Sequence, residues 1–356
     1  MLPTILSTTS VLSTDSSTDG EWVVWSGKAG ASDNSQIFLQ KTGSPLAPRA
    51  ISPDNTWIDG GDSLWNVVVS DNLAVWRAYD GSAYRIYACD LAAANPQAVD
   101  VSGSMTNVDD FHTKGRVVVW VSGSTPSMSV HIYRFDTEEL VTVPVTITDS
   151  DPYVKTDGRF VTWIGGLWPN FQIYAYDLDA ASPAAIQLSS GSWNVMPVVD
   201  NGVVAWYTDA GGGNYEIYYA DAKLATPVAT RVTNSAVADA YPEIADGVIV
   251  WAGGSGNDQE IYYYDTGASS PAVVRVTNNA TADGAWPSIP RIGDGLIVWG
   301  GAVDGVTGTE IFYYDLLAAS PAVVRLTNNG ISDQKPRVSH GTISWIADGK
   351  TYAARR

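Results

Sequence analysis

Cysteine, histidine and positive charge are all scarce in this chain of 356 residues, and each scarcity removes a class of function. The one cysteine, Cys89, has no partner for an internal disulfide and cannot build a Cys-based zinc cage. It sits in the stretch Arg85 to Asp90 where sister segments carry Tyr, the place of a buried packing residue. The three histidines, His112, His131 and His340, fall in separate segments, His131 where sister segments carry Glu, with no spacing that predicts zinc or a Ser-His-Asp site. Lys and Arg number 20 against 38 Asp and Glu, a net charge of -18. Such a field repels phosphate backbones, so no nucleic acid is expected as a partner. No apolar run approaches the roughly 18 residues of a spanning helix, so no membrane insertion is expected either.

What is present is a chain 45% hydrophobic and only 16% charged, with 14 Trp, 18 Tyr and 33 Gly. That mixture suits many short strands buried on both faces and joined by polar turns. A repeat confirms it. Tyr241 to Gly247, Val248 to Trp251, Glu260 to Asp265 and Val273 to Asn279 read as four strands, and the next copy runs to Trp299, Glu310 to Asp315 and Val323 to Asn329. The Trp that ends the second strand recurs as Trp25, Trp76, Trp120, Trp163, Trp206, Trp251, Trp299 and Trp345.

Eight markers predict an all-β fold, a single closed β-propeller of about eight four-stranded blades over residues 1–356. The last copy stops after its third strand, and Pro3 to Thr8 resembles the missing fourth. An N-terminal strand completing the last blade would close the propeller and remove its unpaired edges. Turns such as Asp157-Gly158, Asn201-Gly202 and Asp246-Gly247 precede the marker strand, where positive φ is needed.

The Asp-Gly turn, the Val/Ile-Val-Trp strand, the Glu-Ile-Tyr-Tyr-Tyr-Asp strand and the Arg-Val/Leu-Thr-Asn-Asn strand together resemble TolB-like β-propeller repeats of bacterial and archaeal surface and secreted proteins. The resemblance covers nearly the whole chain and implies the propeller fold. It implies, for function, a scaffold for protein or glycan contacts, some propellers also carrying polysaccharide-cleaving sites. A Lys-poor, acidic composition rich in Ser, Thr and Asn likewise points to a secreted or cell-surface protein, although the first residues carry no signal peptide.

The two loop faces differ. Loops after the third strand are small and uniform, with Asn95-Pro96, Ser182-Pro183, Thr226-Pro227, Ser270-Pro271 and Ser320-Pro321, and read as structural. The opposite face is aromatic, and binding usually lives on loops held by a rigid scaffold. Its candidate ligand-binding residues are Trp57, Trp168, Trp193, Tyr241 and Trp286, with Asp239 and Asp283 beside them. Aromatic rings next to carboxylates suit sugar rings and protein interfaces alike.

The recurring Asp before the first strand, Asp149, Asp239, Asp283 and Asp333, reads as a turn cap, because a catalytic residue occurs once and not in every blade. No residue is singled out as catalytic or as a metal ligand, and no cofactor is expected. The acidic loops Ser32 to Asn34 and Gly256 to Asp258 lack EF-hand spacing, which leaves calcium with weak support. The expectation is therefore a non-enzymatic module whose aromatic face contacts a glycan or protein partner. One alternative is a carbohydrate-active enzyme, a lyase or glycosidase, with His112 or Tyr241 as base and Asp239 or Asp283 as carboxylate. The other is a structural unit of a surface assembly. Lys155, Arg291, Arg337 and Glu243 are expected to project from first strands toward the propeller channel.

Overall fold

The computed structural model describes residues 4–5, 15–28, 35–54, 56, 58, 67–147, 152–285, 287–305 and 307–356. Regular structure among them is strand throughout, apart from one short 3-10 turn at Gly256–Asp258. The strands form eight four-stranded antiparallel sheets, and the fold is an all-β, eight-bladed propeller. Blade one runs Asp15–Thr18, Trp22–Gly27, Gln36–Lys41 and Arg49–Ala50, each strand bonded to the next. Blade eight takes Asp333–Ser339, Thr342–Ala347 and Lys350–Arg355 from the C-terminal end and Thr4–Ile5 from the N-terminal end. Thr4 lies opposite Ala353 and Ile5 opposite Tyr352, so the first strand of the chain completes the last blade.

By packing, the chain falls into two compact units: residues 1–109 with 286–356, and residues 110–285. The first contains blades one, two, seven and eight, and the second contains blades three to six.

The marker Trp is the anchor of each blade. All eight are buried, and each lies directly opposite an aromatic ring of the third strand, from Trp25 on Phe38 to Trp345 on Tyr352. Every such pair is stacked, with centroids 5.3 to 6.2 Å apart and planes within 23°. Directly opposed aromatics on a strand pair stabilise a sheet, and here they repeat once per blade. In blade three the partner is His131, which is aligned with Tyr218 and not with Glu216. Reading His131 as the acid of that blade is thus two residues out: His131 takes the place of the ring.

A second repeated device ties the fourth strand to the third. The backbone N–H of the Ile that follows the Glu donates to a hydroxyl just past the fourth strand: Ile217 to Thr233, Ile261 to Thr277 and Ile311 to Thr327, each at 2.9 Å. Serines do the same for Ile37, Ile86 and Ile173. This is the reason for Thr in the Arg-Val-Thr-Asn segment.

The turn aspartates lace blade to blade. Asp157 Oδ1 accepts from the N–H groups of Arg159 and Phe160 in its own turn, while Oδ2 accepts from Gly202 N of the next blade at 2.7 Å. Asp19 repeats the pattern with Glu21, Trp22 and Asn72. Blade eight joins blade one by a different bond, Thr342 Oγ1 donating to Gly20 O at 3.3 Å. Gly20 has φ +90°, and a Cβ there would collide with His340 Cβ, so this approach requires glycine.

Candidate functional site

Of the residues the sequence singles out, Trp57, Trp286, Asp149 and the acidic loop at 32–34 lie outside the described residues. Trp168, Trp193, Tyr241 and Asp239 belong to the second unit, as does Asp283. Trp168 is 59% exposed in the loop between the second and third strands of blade four. Trp193 is half-buried and packs against Phe171 at 5.8 Å, its backbone N–H held by Pro169 O. Tyr241 meets Tyr207 edge-on at 5.8 Å, and Tyr207 in turn contacts Tyr215 at 5.2 Å. Burial, reinforced by Tyr241, Tyr153 and Tyr215, drives the Tyr207 hydroxyl far above the ordinary phenol range, so it stays a neutral donor.

A strand irregularity positions Tyr241. The pairing of its strand with the next slips between Ala240 and Glu243, and Tyr241 occupies the left-handed region at φ 56°. Met196 and Lys335 stand at the same slip in blades five and eight, at φ 52° and 53°, and each precedes a proline. Such a bulge bends the strand and re-aims one side chain, and bulky residues with positive φ are uncommon enough to mark a constrained position. The recurrent Xaa-Pro inside the first strand, Met196-Pro197, Tyr241-Pro242 and Lys335-Pro336, is the signal in the sequence that would have located it.

Asp239 is buried and accepts from Trp251 Nε1 at 2.8 Å and from Ser235 Oγ at 3.0 Å. Asp333 does the same for Trp345, and Asn194 for Trp206 at 3.1 Å. The recurring acid thus satisfies the indole N–H of the marker. Burial is the main cause that pushes the Asp333 carboxyl up to about 6, with the Glu310 charge adding to it against the hydrogen bonds from Thr327 and Trp345. Asp239 is raised for the same principal reason. Asp283 is buried and accepts from Asn279 Nδ2 at 2.7 Å, and its own N–H donates to Gln259 O.

The acid of the third strand is fixed by its own blade. Glu260 accepts from Arg275 at 2.7 Å and from Asn279 N at 2.9 Å; Glu216 and Glu310 pair likewise with Arg231 and Arg325. These glutamates pin the loop that leads to the next blade. Their Oε1 oxygens are occupied by these contacts.

Two of the three histidines are held within the fold. His131 is buried with Nε2 against Ser122 Oγ at 2.7 Å and Nδ1 against Thr142 Oγ1 at 3.0 Å, and burial lowers its pKa. The arrangement resembles a nucleophile and base, but the third member is a hydroxyl that cannot stabilise an imidazolium, and the ring is stacked on Trp120. His112 Nδ1 accepts from Thr156 N at 3.3 Å, and His340 sits in a turn. Among the described residues no group of three His, Cys, Asp or Glu is placed to hold a metal ion. Of the charged residues expected on first strands, Lys155 is buried with Nζ 3.9 Å from Asp110, and Arg337 is 3.6 Å from the buried Asp15. Arg291 is buried, and burial lowers its pKa; the Arg337 charge adds to this and the Asp15 carboxylate opposes it.

No family model matches the chain, and no curated protein matches it in sequence. In fold it is similar to the β-propeller domain of the Trilobed protease from Pyrococcus furiosus, with a TM-score of 0.58 at 12% identity over 89% of this chain and 98% of that one. It is also similar to acylaminoacyl peptidase from Pyrococcus horikoshii, with a TM-score of 0.59 at 10% identity over 95% of this chain and 57% of the peptidase. A prolyl endopeptidase gives 0.60 at 14% identity over 96% of this chain and 52% of the enzyme. The chain thus spans just over half the length of these two peptidases, and the likeness at such identities is one of fold.

These neighbours correct the functional expectation. A non-enzymatic module that contacts a glycan or protein through an aromatic face, a carbohydrate-active enzyme and a structural surface unit all give way, because the propellers it is similar to are parts of peptidases. Trp193 packs against Phe171 and Tyr241 meets Tyr207 edge-on, and Asp239 accepts from Trp251 and Ser235, whereas Trp168 stays exposed.

Proposed function

We propose that this chain is the propeller part of a peptidase, the non-catalytic portion that governs which peptides reach a catalytic part. The observation that carries the reading is coverage: 98% of the Trilobed protease propeller domain is matched, whereas full-length peptidases are matched over 52–58%. The repeats themselves we assign to the TolB-like class, on their motif alone.

The test is hydrolysis by the native assembly. Affinity-tagged chain recovered from its source organism should bring down activity on acylated and prolyl chromogenic peptides, while the chain alone should cleave none. A native assembly that hydrolyses no peptide would overturn the proposal.

A further inference from the structure

We infer that the seam between blades one and two carries a binding pocket for an apolar carboxylate, anchored by Arg49. The cavity, about 370 Å³, lies within the first unit, beneath the loops that follow the third strands of these blades. Its volume is that of a small-molecule site. Trp22, Leu39, Leu46, Leu91 and Pro96 supply apolar walls, and Gln40, Lys41 and Arg49 the polar rim.

The walls are held in place. Trp22 Nε1 donates to Asn72 Oδ1 at 2.9 Å, which fixes the indole plane. Gln40 Nε2 donates to Ser44 O and Leu46 O, at 3.2 and 3.0 Å, and so clamps the loop that presents Leu46. Leu46 is 75% exposed, apolar surface that a bound apolar group would cover.

Charge selects the ligand. Lys41 is already engaged, 2.6 Å from Glu21 and over the Trp22 ring. Arg49 has no ion-pair or hydrogen-bond partner among the described residues, in a chain where acids outnumber bases 38 to 20. It is also a departure from the repeat. Arg49 pairs with Leu39, the register position that Val99, Ile186, Thr230, Val274 and Val324 hold in other blades. A residue that all blades need recurs; one that binds appears once. The planar guanidinium donates two parallel bonds to a carboxylate, which a lone cation on the rim of an apolar pocket is placed to do.

This inference goes beyond the peptidase reading and does not depend on it. The shared chemistry is a carboxylate on an aromatic or branched aliphatic body, whether a free acid or the last residue of a peptide. Calorimetric titration of the whole chain with 4-phenylbutyrate and with its neutral amide tests it. The acid should bind at least about tenfold more tightly than the amide, and more weakly as salt is raised. Arg49→Gln should bring the acid down to the amide and leave both the amide and the melting temperature unchanged. Leu46→Asp should weaken both ligands. A short Leu-terminated peptide, with a free or amidated end, then distinguishes the sources: preference for the free end identifies a chain terminus, and no peptide binding identifies a small acid. Equal binding of acid and amide, an unaffected Arg49→Gln variant, or no binding of the acid would overturn the inference.

Discussion

Trp345 donates its indole N–H to Asp333 at 2.8 Å, and the oxygen that receives it belongs to a fully buried carboxylate held near a second acid, Glu310. In blade five the same position is Asn194, which accepts from Trp206 without carrying a charge.

That comparison predicts the effect of Asp333→Asn. The folded-state pKa of about 6 lies above the ordinary 3.8, so the native state holds its proton more tightly than the unfolded chain. Stability from this group is fully present below pH 3.8 and is lost as pH rises toward about 6. Asp333→Asn keeps the acceptor and removes the buried charge. It should stabilise the protein by about 1–3 kcal/mol at neutral pH and leave it little changed in acid. Denaturant unfolding at both pH values measures this; a loss of stability at neutral pH would contradict it.

Asp157→Ala removes one acceptor for three backbone N–H groups, two in its own turn and one on Gly202 of the next blade. A cost of about 1–3 kcal/mol follows if the lace contributes to blade order. Hydrogen exchange should quicken at Gly202 as well as in the turn. Faster exchange in the turn alone would show that the contact between blades contributes little.

Removing residues 1–10 takes away Thr4–Ile5 and leaves Lys350–Arg355 as an unpaired edge in blade eight. The melting temperature should fall by roughly 5 °C or more, with aggregation near the transition. An unchanged midpoint in thermal denaturation would mean that this strand does not lock the blade.

The blade plan was legible because its anchors recur and each recurrence has a local cause. Trp on the second strand needs a ring opposite, Ile on the third needs a hydroxyl beyond the fourth, and the turn needs Gly. The closing strand was legible for the same reason, since Thr4–Ile5 fills the one gap in the count.

Cross-strand register was harder to read. His131 looked like a substituted acid until pairing placed it against Trp120. The bulges at Met196, Tyr241 and Lys335 add a residue without changing the hydrophobic pattern, so only the following proline hints at them.

How far the candidate aromatics are covered was harder to read. Trp193 and Tyr241 are packed by neighbours distant in the chain, whereas Trp168 is exposed. The face that looked bland is the one with the pocket around Arg49, because its walls come from two blades and no single segment contains them.

A propeller that governs access to a peptidase should leave its mark on substrate size. The measurement is hydrolysis, by the tagged native assembly, of a short fluorogenic peptide and of a long unfolded polypeptide containing the same cleavable sequence. Rapid cleavage of the short peptide with little cleavage of the long chain is the predicted result. Equal cleavage of both, or of neither, would contradict it.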